Sequence, residues 1–87
     1  MLSQLRAAAK VVGVKQSKKV IRDGGAAAVF VASDAEARVT RPILELCQEL
    51  RVEVTEVPTM QELGRAAGID VGAAVVVQLR ETAGDAN

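Results

Sequence analysis

Seven consecutive apolar residues, Ala26 to Ala32, stand between Gly25 on one side and Ser33-Asp34 on the other. The run is far shorter than the roughly 20 residues that cross a bilayer, and it shows no alternation of polar and apolar positions. It therefore reads as a strand buried on both faces, which requires helices above and below it. The rest of the chain supplies them. Ser3 can cap a helix carrying Leu5, Ala8, Ala9 and Val12, followed by a short extended piece from Val11 to Val14. A second helix is predicted from about Gln16 to Asp23, with Val20 and Ile21 inward and Gly24-Gly25 ending it. Pro42 fits the first turn of a third helix, on which Ile43, Leu46, Cys47 and Leu50 recur at helical spacing. Val52 to Val57 reads as a strand stopped by Pro58. Thr59 and Glu62 make a capping-box pattern that opens a fourth helix ending near Gly68. Ala73 to Leu79 reads as the last buried strand.

The expected fold is α/β: a three-layer α/β/α sandwich around a mixed or mostly parallel sheet of about four strands. A chain of 87 residues holds one such domain, assigned to residues 1–80, with residues 81–87 expected to form a flexible polar tail. Apolar residues make up 49% of the chain, mostly alanine and valine, and Phe30 is its single aromatic residue. Such content is enough to offset the ordering entropy of a thin, β-branched core. Arg6 and Lys10 interrupt the first apolar stretch, so no signal-peptide core is seen, and one cysteine cannot form an internal disulfide. A cytoplasmic protein without membrane partners is expected.

Missing residue types limit the chemistry. The chain has no histidine, tyrosine or tryptophan, so the commonest general base and metal ligand is absent. Cys47 has no histidine partner and sits among Ile43, Leu46 and Leu50, where it reads as core. Glu45 and Glu49 lie four apart on the outer side of their helix, a solvated face rather than an acid pair. Gly24-Gly25 is followed by neither a phosphate-loop lysine nor a G-x-G-x-x-G helix start. A non-catalytic protein, with no cofactor and no metal, is the expectation.

Two segments carry more information. Gly13-Val14-Lys15-Gln16-Ser17-Lys18-Lys19 puts three lysines and a glutamine where a helix begins, and Leu63 to Gly72 is a glycine-flanked apolar stretch running into a buried strand. The zero net charge hides an asymmetry: residues 1–22 hold six basic side chains and no acidic one, while residues 23–87 hold five basic and eleven acidic, a balance of 5 − 11 = −6. Phosphate responds to that local field rather than to the overall charge. A helix N-terminus adds free N–H groups and a favourable dipole. Lysine donates to guanine O6 or N7, a glutamine amide donates and accepts, and i, i+1, i+4 spacing puts Lys15, Gln16 and Lys19 within reach of the same bases. With no aromatic platform, the chain is unsuited to stacking single-stranded bases, and a folded RNA shape is the better target. The plainer alternatives are a solvated basic face for the lysines, an uncommitted Gln16, a core-facing strand start for Ile69 and Val71, and simple helix packing for Gly64 and Gly68.

These two segments resemble the kink-turn-binding ribosomal protein family of archaea and eukaryotes, most closely its small bacterial YbxF-type members. The likeness spans roughly residues 5–79. Gly13 to Lys19 matches the family's RNA-reading motif in its lysine–glutamine form, where many members have asparagine and glutamate at Lys15 and Gln16. Leu63 to Gly72, followed by Ala73-Ala74-Val75-Val76-Val77, matches its second hallmark.

The resemblance implies a protein that recognises and stabilises kink-turns in ribosomal RNA or a riboswitch, acting as a monomer and potentially on the ribosome. Gly13 would let the backbone approach the RNA. Lys15, Gln16 and Lys19 would contact the tandem sheared G·A pairs from the major-groove side, and Lys18 would meet phosphate. Ile69, Asp70 and Val71 would cover the nucleotide flipped out of the bulge, in a loop shaped by Gly68 and Gly72, with Arg65 contacting the RNA backbone. The alternative from another class is a protein-interaction module on the same fold, working through the acidic helix around Glu45 and Glu49.

Overall fold

The computed structural model describes residues 9–80, which form four strands and three helices in the order β1 (Lys10–Val12), α1 (Val14–Arg22), β2 (Ala26–Ala32), α2 (Ala37–Leu50), β3 (Val54–Val57), α3 (Met60–Ala66) and β4 (Val75–Leu79). One sheet runs β1-β4-β2-β3. Among these strands only β2 and β3 are parallel; β4 lies antiparallel to both β1 and β2. The sheet is thus mixed, as expected, and not mostly parallel. Strand direction is decided by which helix returns the chain, which residue patterning alone does not encode.

The run Ala26–Ala32 is the strand expected of it, and it occupies the middle of the sheet. Its side chains divide between two cores with the strand period of two. Val29 and Val31, with Val75 and Val77 of β4, meet Ile21 of α1 and Ile43 and Cys47 of α2. Phe30 and Ala32, with Val76, meet Leu63 and Ala67 at α3 on the other face. Two helices lie on one side and one on the other, which gives the α/β/α sandwich. Cys47 is a core residue: it is buried, and burial pushes its thiol above the usual cysteine range.

Some boundaries differ from expectation. The extended piece expected from Val11 to Val14 is β1, beginning one residue earlier and ending two residues earlier. Val12, counted also in the helix before it, pairs there with Val76 as Val11 does with Val77, since sheet pairing overrides a helical pattern in adjacent valines. Ser3, Leu5 and Ala8 of that expected helix, and the expected tail of residues 81–87, lie outside the described residues. Pro42 is not in the first turn of α2 but six positions into it, because the helix starts at Ala37. The backbone bond that Pro42 cannot make is the one to the carbonyl of Arg38, a solvent-exposed residue in the first turn of α2. Thr59 caps α3 as expected, its hydroxyl accepting from the Glu62 N–H at 3.0 Å.

Candidate nucleic-acid interface

Register decides which loops meet. Val12 pairs with Val76, Val31 with Val75, and Ala32 with Val57. The start of α1, the β2–α2 turn, the start of α3 and the segment leading into β4 therefore all gather at one end of the sheet. Hydrogen bonds join them: the Gly13 N–H donates to the Val75 carbonyl at 3.1 Å, and the Ala32 N–H to the Ala74 carbonyl at 2.9 Å.

Gly13 is the turn that launches α1. It has φ 109° and ψ 154°, and its carbonyl accepts the Ser17 N–H at 3.0 Å. A Cβ added there would touch nothing within 4 Å, so the backbone conformation, not crowding, demands glycine, and the space beside it is open. Behind it α1 has no side-chain cap and no acidic residue in its first turn. The positive end of the helix is left for an outside anion. Lys15, Gln16 and Lys19 are exposed and line one shallow groove, together with Val20 and Asp23. Lys18 is half-buried and lies off that groove. Asp23, which sequence reasoning passed over, closes the groove with a carboxylate; its place four residues after Lys19 was the available signal.

The second segment is built differently. At the end of α3 the Gly68 N–H donates to the Arg65 carbonyl at 3.0 Å and the Ile69 N–H to the Gly64 carbonyl at 3.0 Å, the pairing of a Schellman cap. The chain then folds back along the helix. A Cβ on the buried Gly64 would fall on the Val71 carbonyl oxygen, so the absence of a side chain is what lets the loop lie there. The Ala73 N–H donates to the Met60 carbonyl at 3.0 Å and closes the loop on the first residue of α3. Ile69 is half-buried against the Phe30–Leu63 core, whereas Val71 is 70% exposed. The core-facing alternative thus fits Ile69 and fails for Val71.

A groove of about 250 Å³ runs beside this loop, lined by Arg65, Gly68, Ile69, Asp70 and Val71 and by Gln61, one turn before Arg65. Gln61 was missed in the sequence; its i, i+4 relation to Arg65 on a helix facing a candidate loop could have found it. Gly13, Lys18 and Gly72 line neither groove, and the two grooves share no residue.

Over residues 2–87 the sequence matches the ribosomal protein L7Ae/L30e/S12e/Gadd45 family. The chain belongs to this family. It is 40% identical over 76 residues to the RNA-binding protein YbxF of Geobacillus stearothermophilus, covering 87% of this chain and 93% of that one. It is also 40% identical over 75 residues to the large ribosomal subunit protein eL8 of Halobacterium salinarum, covering 85% of this chain and 61% of the archaeal protein. Among solved structures, the Giardia lamblia 15.5kD RNA binding protein superposes with a TM-score of 0.82 at 21% identity, over 94% of this chain and 70% of that one, a likeness of fold.

These L7Ae-family relatives carry the names of RNA-binding and ribosomal proteins rather than enzymes, in keeping with the non-catalytic reading. The side chains at this end of the sheet agree with it. Lys15 and Lys19 supply ammonium donors, and Gln16 supplies a donor and an acceptor. The second groove joins the Arg65 guanidinium, the Gln61 amide and the Asp70 carboxylate to apolar Ile69 and Val71. Among the described residues no helix is long and apolar enough to cross a membrane, and no acidic or cysteine cluster could hold a metal.

Proposed function

We propose that this L7Ae-family protein binds kink-turn motifs in structured RNA, ribosomal RNA or a riboswitch, and stabilises their bent form without catalysis. The observation that carries the reading is the junction of two chemically different walls at one end of the sheet. The uncapped start of α1, with Lys15, Gln16 and Lys19 on one groove, is hydrogen-bonded through Gly13 to Val75, where the loop from Gly68 to Gly72 delivers the chain. Lys15, Gln16 and Lys19 read the guanine edges of the sheared pairs, and the open space at Gly13 admits the RNA backbone. Exposed Val71, with Ile69 and Asp70, covers the extruded nucleotide, and Arg65 contacts phosphate. Lys18, off the groove, adds only to the general field. The names of the bacterial and archaeal relatives support RNA as the ligand class.

The reading carries with it a monomer acting in the cytoplasm, with the ribosome as a potential site of action. An electrophoretic titration against a short RNA with one kink-turn, and against the same RNA lacking its bulge, tests it. Binding to the kinked RNA alone is expected; equal affinity for both, or for neither, overturns it.

A further inference from the structure

We infer that Asp34 is a positioning residue that sets the apolar loop against the polar wall. The inference rests on the RNA-binding reading above. Asp34 lies in the β2–α2 turn, 26 residues before Met60, and its Oδ1 accepts the Met60 N–H at 2.8 Å. Met60 is also where the loop is fastened: its carbonyl accepts the Ala73 N–H at 3.0 Å, and its backbone and Cβ pack so closely on Gly72 that a Cβ there would come within 3.2 Å of Met60. Met60 thus passes the position of Asp34 to the far end of the loop. The turn that carries Asp34 is in turn anchored to the sheet, since the Ser33 N–H donates to the Val57 carbonyl at 2.8 Å and the Ala32 N–H to the Ala74 carbonyl at 2.9 Å. From Ala74 one residue leads to Val75, which accepts the Gly13 N–H and so reaches the polar wall.

The same helix start has a second cap, and the contrast between the two isolates the role of the first. Thr59 binds the Glu62 N–H three residues away, a bond local to α3. Asp34 spans two segments distant in sequence and fixes where α3 begins relative to β2 and β4. Losing Thr59 loosens a helix start; losing Asp34 unties that start, and the loop fastened to it, from the β2–α2 turn, while Leu63 and Ala67 still hold α3 on the sheet. Asp34 needs only an acceptor oxygen, which asparagine also supplies.

The test compares full-length wild type with Asp34→Ala, Asp34→Asn and Thr59→Ala. Amide hydrogen exchange of the free proteins is read at Ala73 and at the core strand, and dissociation from kink-turn RNA is timed. Asp34→Ala is expected to speed Ala73 exchange and RNA release by roughly fivefold each, the scale of one lost backbone-to-side-chain hydrogen bond. Exchange in β2 should stay at the wild-type rate, Asp34→Asn should restore both readouts, and Thr59→Ala should leave Ala73 unchanged. Unaltered Ala73 exchange in Asp34→Ala, an equal rise in Thr59→Ala, or faster exchange without faster RNA release overturns the proposal. Failure of the wild type to bind kink-turn RNA overturns the functional reading and the RNA half of this one, and Ala73 exchange then still decides whether Asp34 tethers the loop.

Discussion

The two walls of the site reach the same end of the sheet by opposite means. On α1 the working groups are side chains on a regular helix, and the backbone contributes an open first turn. In the segment from Gly64 to Ala73 the backbone is the construction: the Ile69–Gly64 and Ala73–Met60 bonds and the close contact at Gly64 hold a loop that presents Val71 to solvent. A wall of side chains can lose one group and keep its shape. A wall of backbone loses its shape when one atom is added. Changes on the exposed face of α1, at Lys15, Gln16 and Lys19, should therefore alter affinity without stability, and changes at the base of the loop should alter both.

The largest effect is expected from Gly64→Ala. Its methyl would occupy the place of the Val71 carbonyl, so the loop must move, at a stability cost of about 1–3 kcal/mol in thermal unfolding and with near-complete loss of RNA affinity. An alanine variant that melts like wild type and binds normally would break the comparison. On the other wall, Gln16→Ala and Lys19→Ala should each weaken binding by about 1–3 kcal/mol in a titration, with the melting temperature unmoved. Loss of stability there would mean that α1 is less independent than its exposed residues imply.

Val71→Ser sharpens the contrast within the loop. Because the side chain is 70% exposed, stability should not change, while affinity falls by about 1 kcal/mol if a nucleotide covers it. The smallest effect belongs to Lys18→Ala. If a few phosphates are contacted, binding should follow a log–log salt slope on the order of −3 to −5, and removing Lys18 should change it by less than about 1. A change as large as that of Lys19→Ala would return Lys18 to the groove.

The difference between the walls also separates what the sequence reveals from what it hides. Side-chain chemistry on a regular element is legible: Lys15, Gln16 and Lys19 share a groove as their spacing predicts, and the Thr59–Glu62 cap forms as its pattern predicts. The run from Ala26 to Ala32 was decisive because a strand covered on both faces leaves few architectures. The Pro42 boundary misleads because proline marks where a helix tolerates a missing donor, and α2 absorbs that gap one turn further in. Long-range backbone contacts leave almost no local trace. Nothing near Asp34 announces that it binds Met60, and nothing near Gly64 announces that a carbonyl lies where its Cβ would be. Gln61 and Asp23 belong to grooves that exist only once α3 has met its loop and α1 has ended.

The most direct measurement is a titration of the protein into an RNA bearing one consensus kink-turn, labelled across its two helical arms, beside a control whose G·A pairs are replaced by Watson–Crick pairs. Closure of the arms on the kink-turn RNA alone, at saturable protein concentration, is the predicted result. Binding without closure, or equal binding to both RNAs, would contradict the account and leave this end of the sheet without the ligand assigned to it.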